Sequence, residues 1–309
     1  MPDDWLDVVL RFALYLDLMI LFGTPLFSLY ALRAGDDAPA FLRLRGGAAV
    51  ATASAGIVLS GWSLLETAQS MTGAAMYAAL TSQAIGMILT ATAVGTAWMV
   101  RMAALAAWLI VAAACRQDSM RRCVALAASG AVALTTLAWA GHGAMDDGGR
   151  GAFHLIVDVA HLLAAGMWVG ALVGFAQLSS RRWAIAPGHV RLLSGAASGF
   201  AAVGTGIVVT LAVTGVINYG LVAGPMLDAL YATPYGRLLV AKLMLFAAML
   251  GLAAVNRYRL SPRLAAAIRA GDDARAVAAL RSSVRTEATL AVLILALVAW
   301  LGTQSPLPS

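Results

Sequence analysis

Apolar residues make up 61% of the 309-residue chain and charged residues only 12%. That leaves too little charge to cover a water-soluble domain of this size, so the composition excludes an ordinary soluble protein and implies an all-α chain threaded several times through a bilayer. The formal net charge of +6 matches a nucleic-acid binder in amount but not in placement.

Apolar runs of about 20 residues are expected to cross the hydrocarbon layer as helices, because lipid offers no partner to an open backbone group. Eight such spans are predicted, at 8–31, 46–65, 97–115, 123–141, 154–177, 194–218, 237–256 and 285–303. The acidic start "MPDDWLD" runs straight into the first span, so no cleavable signal peptide is expected. Sixteen of the 21 Lys and Arg fall in alternate loops: Arg33, Arg43 and Arg45; Arg116, Arg121 and Arg122; Arg181, Arg182 and Arg191; and seven arginines from Arg257 to Arg285. The positive-inside rule places these loops in the cytoplasm and both termini outside. The basic excess is therefore a topology signal, and no nucleic-acid partner is expected. Residues 66–92 carry no Lys or Arg, and "AALTSQAIGMILTATAVG" within and just beyond them suits a short interfacial helix. The loop from Pro262 to Arg285 is predicted to lie as one amphipathic helix on the anionic inner leaflet.

Two distant segments, "ILTATAVGTAWMVRMAALAAWLIVAAACRQ" and "DALYATPYGRLLVAKLMLFAAMLGLAAVNR", align Thr92 with Thr233, Gly95 with Gly236 and Arg101 with Lys242 at one constant offset. This predicts a tandem duplication of a four-helix unit, 1–141 and 142–309, within a single transmembrane domain. A pseudo-twofold along the membrane normal would relate the halves. Arg101 and Lys242 either pair with the intramembrane acids Asp17 and Asp158 or snorkel to the outer interface.

The chemistry concentrates around the fifth span. His154, Asp158 and His161 lie at i, i+4 and i+7, one helix face about two turns long. Trp168 continues that stripe a heptad further. His142 ends the fourth span, and the short loop between the two adds Met145, Asp146 and Asp147. Imidazole binds copper in both oxidation states and thioether favours Cu(I), so His142, His154, His161 and Met145 form a candidate copper site, with zinc chemically open to the same histidines. Asp158 orients a ligand or balances charge. Met71, Met76, Met87 and Met226 also map to outer segments. For any one histidine the competing role is a helix-to-helix hydrogen bond. Cys115 and Cys123, with Met120 between them, form either a soft exit site or small buried helix ends; no disulfide is expected in a reducing compartment. His189, beside Pro187, is assigned no role.

No GK[ST] phosphate loop, nucleophile elbow or HExxH motif occurs, so no enzyme activity is expected and transport driven by this chain's own ATP hydrolysis is excluded.

The blocks "TLAWAGHG", "FHLIVDVAHLLAAGMWVGAL", "LAVTGVINYGLVAG", "YATPYGRLLVAKLMLFAAMLGLAAVNRYRLSP" and "LRSSVRTEATLAVLILALVAWLGTQSP" occur in the order in which the CopD family of bacterial copper-resistance membrane proteins carries its own. The chain resembles that family over nearly its whole length. The resemblance implies an eight-helix inner-membrane protein that handles copper. It also implies a periplasmic copper-binding partner of the CopC type, separate from this chain, and it places His142, His154, Asp158, His161 and Trp168 on family motif positions.

Three functions stand as expectations. The first is passage of copper from the periplasmic side inward. The second is a haem-binding or copper-oxidising redox protein, with His142 and His161 bracketing a haem. The third is a copper-binding sensor or scaffold that moves nothing.

Overall fold

The computed structural model describes residues 3–31, 46–73, 81–114, 120–140, 148–180, 189–222, 233–271 and 274–304. Among them every regular element is helical. In chain order these are α1 (Asp3–Ala31), α2 (Gly46–Thr72), α3 (Ser82–Ala91), α4 (Ala93–Ala114) and α5 (Met120–Thr135), which tightens into a 3-10 turn at Thr136–Ala140. Then come α6 (Gly148–Leu178), α7 (His189–Val222), α8 (Pro234–Val255) with a π turn at Asn256–Leu260, α9 (Ser261–Ala270) and α10 (Ala274–Leu301).

A long helix stands at the place of each predicted span. Six stretches of the described residues are long and apolar enough to cross a membrane: Ala93–Ala114, Met120–Trp139, Gly148–Leu178, Val190–Val222, Pro234–Ala270 and Ala274–Leu301. The chain is thus a multi-pass membrane protein. Helices α1 and α2 are also of spanning length, at 29 and 27 residues. Exposed Val58, Ile110, Ile156, Val216 and Met244 give the outer surface the apolar character that lipid requires.

Helix α1 is the hub, packing on α6, α5, α2 and α10. Its closest approach is to α6, where glycine is required. A Cβ on Gly23 would lie 2.0 Å from the Gly166 carbonyl oxygen, and one on Gly170 would lie 2.1 Å from the Gly23 carbonyl carbon. Gly166 and Gly170 are spaced four apart, so their missing side chains line one stripe and let the two backbones touch. Pro25 lies inside α1 and has no N–H for the Leu21 carbonyl. The indole Nε1 of Trp108, from α4, donates to that carbonyl at 3.3 Å instead. A membrane interior demands such a replacement.

The two halves close differently. Helix α1 packs on α2 and α5, and α4 bridges α2 and α5, making a closed ring. In the second half α6 packs on α7 and α10, and α8 on α10, but α7 and α8 scarcely meet. A cavity of about 660 Å³ occupies the gap, bounded by Trp168 and Phe175 of α6, Phe200 and Thr205 of α7, and Glu287 of α10.

One expectation needs correction at the basic end. The helix that carries the seventh span continues past residue 256, through the π turn and α9, to Ala270. The stretch from Pro262 to Arg285 is not one amphipathic helix. Gly271, at φ +74°, caps α9 in the left-handed conformation that glycine adopts without strain, and residues from Ala274 onward already belong to the last long helix. The short helix expected near residues 78–95 is present as α3, with Thr81 Oγ1 accepting from the Ala84 N–H at 3.1 Å.

Candidate metal centre between α6 and α7

Helix α6 carries His154, Asp158 and His161 on the face turned to α7, and α7 answers with Asn218 and Thr214. The helices run antiparallel, so the contacts form a ladder. Asn218 Nδ2 donates to Asp158 Oδ1 at 2.7 Å, and one rung along His161 Nδ1 meets Thr214 Oγ1 at 2.8 Å. His154 is 2% exposed, and its Nε2 lies 3.9 Å from Asp158 Oδ2.

The Thr214 hydroxyl decides which tautomer His161 adopts. Its single proton is directed at the Thr210 carbonyl, 2.6 Å away, which can only accept. With that proton on the carbonyl, Nδ1, at 2.8 Å from the same oxygen, is the donor. A neutral imidazole protonated at Nδ1 keeps its lone pair on Nε2. His161 is thus held by one ring nitrogen with the other ready to coordinate, the arrangement that an outer hydrogen bond gives a metal-binding histidine. Gly215 lies beside the ring edge, where a Cβ would stand 3.9 Å from His161 Cε1, in ordinary contact. The Lys242 ammonium of α8 lies close enough to act on His161 electrostatically, and Tyr15 of α1 feels both Asp158 and Arg101.

The remaining predicted residues are dispersed. His142 and Met145 lie outside the described residues, as does Cys115; Cys123 is buried in the first turn of α5. Among the described residues no group of three or more His, Cys, Asp and Glu closes on a point. Trp168 is about 10 Å along α6 from His161, at roughly 1.5 Å per residue. It packs with Leu172, Ile207, Leu211 and Met249 and lines the cavity between α7 and α8. Arg101 is 5% exposed and donates from Nε to Thr136 Oγ1 at 2.8 Å. It neither snorkels nor pairs with Asp17, because the 3-10 turn after α5 offers it a buried acceptor. Asp17 is buried facing Gly56 of α2, where a Cβ would fall 2.4 Å from Asp17 Oδ2. That oxygen has no hydrogen-bond partner, and among the described residues no ion pair joins Asp17 to Arg101 or Lys242.

Thr214 and Asn218 were not expected from the sequence. Their signal lies in "LAVTGVINYGLVAG", as two polar residues four apart within an apolar run, a pattern that puts both on one helix face.

Residues 1–152 match the family described as Copper resistance protein D-like, N-terminal domain, and residues 194–301 match Copper resistance protein D. The chain is 41% identical over 311 residues to the Copper resistance protein D of Pseudomonas syringae pv. tomato, an alignment covering 98% of each. No solved structure matches. With both halves matched in order and near-complete coverage of a relative, the chain belongs to the copper resistance protein D family.

Proposed function

We propose that this chain moves copper across the bacterial inner membrane, taking the ion on the periplasmic side at the α6–α7 ladder. The observation that carries the reading is the contact between His161 Nδ1 and Thr214 Oγ1: with the Thr214 proton on the Thr210 carbonyl, Nδ1–H is the donor, which leaves the Nε2 lone pair for the ion. Copper is the cargo here, and imidazole accepts it as Cu(I) or Cu(II). His161 and His154 are its ligands, joined by His142 and Met145 from the preceding segment. Asp158, steadied by Asn218, offsets the charge that the ion brings into a dry interior. In this reading the chain makes eight crossings with both termini outside, arranged as a duplicated four-helix unit. A periplasmic CopC-type carrier is the expected donor. The chain acts as a carrier and not as an enzyme.

Metal content and the visible spectrum of the detergent-purified protein test this, beside the His154→Ala/His161→Ala variant. Copper retained by the native chain and lost from the variant, with no Soret band, is the expected result. A Soret band that disappears with the histidines would make the site a haem pocket. Equal copper in both samples would contradict the assignment.

A further inference from the structure

Glu287 lies midway along α10, 5% exposed, at the wall of the cavity between α7 and α8. Its Oε1 accepts a hydrogen bond from Asn256 Nδ2. Asn256 opens the π turn, a local widening of the helix that recurs at functional positions. The remaining amide oxygen, Asn256 Oδ1, is buried and has no hydrogen-bond partner.

Among the described residues no positive charge compensates the carboxylate. Arg257, the cation on the cavity wall, is committed to α7: its Nη1 donates to the Ala201 carbonyl at 2.9 Å and to Thr205 Oγ1. Among the described residues Glu287 makes no ion pair. The titratable groups lining the cavity are Glu287, Arg257 and Tyr258; α6 and α7 face it with uncharged side chains. Helix α1 stands behind the wall, with Tyr30 stacked on Phe200. On α10 itself Arg281 donates to the Ser179 carbonyl, and Arg285 is exposed.

A buried carboxylate with one donor and no counter-charge is costly inside a membrane, so it calls for a cation. Metal cations of the hard class gather about six or more oxygens. Besides the carboxylate and Asn256 Oδ1, the side-chain oxygens of this wall are the Ser198 and Thr205 hydroxyls, bonded to α7 carbonyls, and those of Tyr258 and Ser261 at the basic end. A proton needs one oxygen only. Asn256 serves both charge states: its Nδ2 donates to the carboxylate, and after a half-turn of the amide its Oδ1 accepts from the carboxylic O–H. Exposed Arg257, Tyr258 and Pro262 border the mouth, so water has access from the basic end.

We propose that Glu287 and Asn256 form a proton-exchange site, filled from water in this cavity and coupled to the movement of copper past His161. The proton passes from a cavity water to a Glu287 carboxylate oxygen and returns by the same route. Only the coupling rests on the transport reading above; the site stands on the cavity and its unpaired acid.

Infrared difference spectra between acid and alkaline pH, recorded on the purified full chain, test the site without any transport. The native protein is expected to show a carboxylic C=O band that is lost in Glu287→Gln and returns, shifted, in Glu287→Asp. Copper content should be the same in all three, which also verifies the fold. A band unchanged in Glu287→Gln would overturn the site. Vesicles loaded with a pH dye test the coupling: native protein should carry protons with copper, and Glu287→Gln should slow copper uptake several-fold. Copper uptake with no proton movement would overturn the coupling. Vesicles that take up no copper would overturn the transport reading and the coupling together, while the infrared band still decides the site.

Discussion

The same local device opens α4 and α8, yet the two helices part ways within two turns of it. Thr92 Oγ1 accepts from the Gly95 N–H at 2.9 Å, and Thr233 Oγ1 accepts from the Gly236 N–H at 2.9 Å. Six residues beyond Gly95, Arg101 is buried and spends its Nε on Thr136. Six beyond Gly236, Lys242 is half-buried and acts on His161 electrostatically. A guanidinium presents donors in a fixed fork suited to knitting helices together, whereas an ammonium is a mobile point charge. The first half is closed and knitted; the second is splayed, with the histidines, Asp158 and a cavity inside it. Under the proposed function, the first half serves stability and the second the copper chemistry.

The largest expected effect comes from breaking the seam between the halves. Gly170→Leu drives a side chain into the Gly23 backbone, which cannot yield, and should abolish recovery of monodisperse protein; normal yield would show that the α1–α6 seam is not what joins the halves. Thr214→Val should leave folding intact but weaken copper binding about 10- to 100-fold, since it removes the acceptor that fixes the His161 tautomer; a competition titration against a copper chelator reads this. Arg101→Met should lower stability by about 1–3 kcal/mol, read by thermal unfolding in detergent, with copper affinity unchanged. Lys242→Met should do the reverse. Stability should hold, and copper should bind about fivefold tighter, because roughly 1 kcal/mol of charge repulsion is gone. An exchange of those two outcomes would invert the comparison. Copper retention should also fall on acidification, where protons compete for the imidazole nitrogens, and recover when the acid is neutralised.

Much of this architecture is legible in the chain, because a membrane forces each crossing into one long apolar helix whose position hydropathy marks directly. The in-phase set His154, Asp158 and His161 is legible for the same reason: helical period alone puts the three on one face. The partners are not. Thr214 and Asn218 acquire meaning only when the antiparallel packing of α6 on α7 sets their register against His161 and Asp158. For Arg101 the sequence suggests an ion pair or snorkelling, because Thr136, 35 positions away, offers no local signal. The division of the basic loop at Gly271 depends on one left-handed glycine, which sequence marks only as a candidate cap.

X-ray absorption at the copper edge, on the native protein and on His161→Ala, tests the central claim most directly. An imidazole scattering pattern from at least two rings is expected in the native site, with the loss of one ring in the variant. The same number of rings in both, or a native site with no imidazole at all, would contradict it.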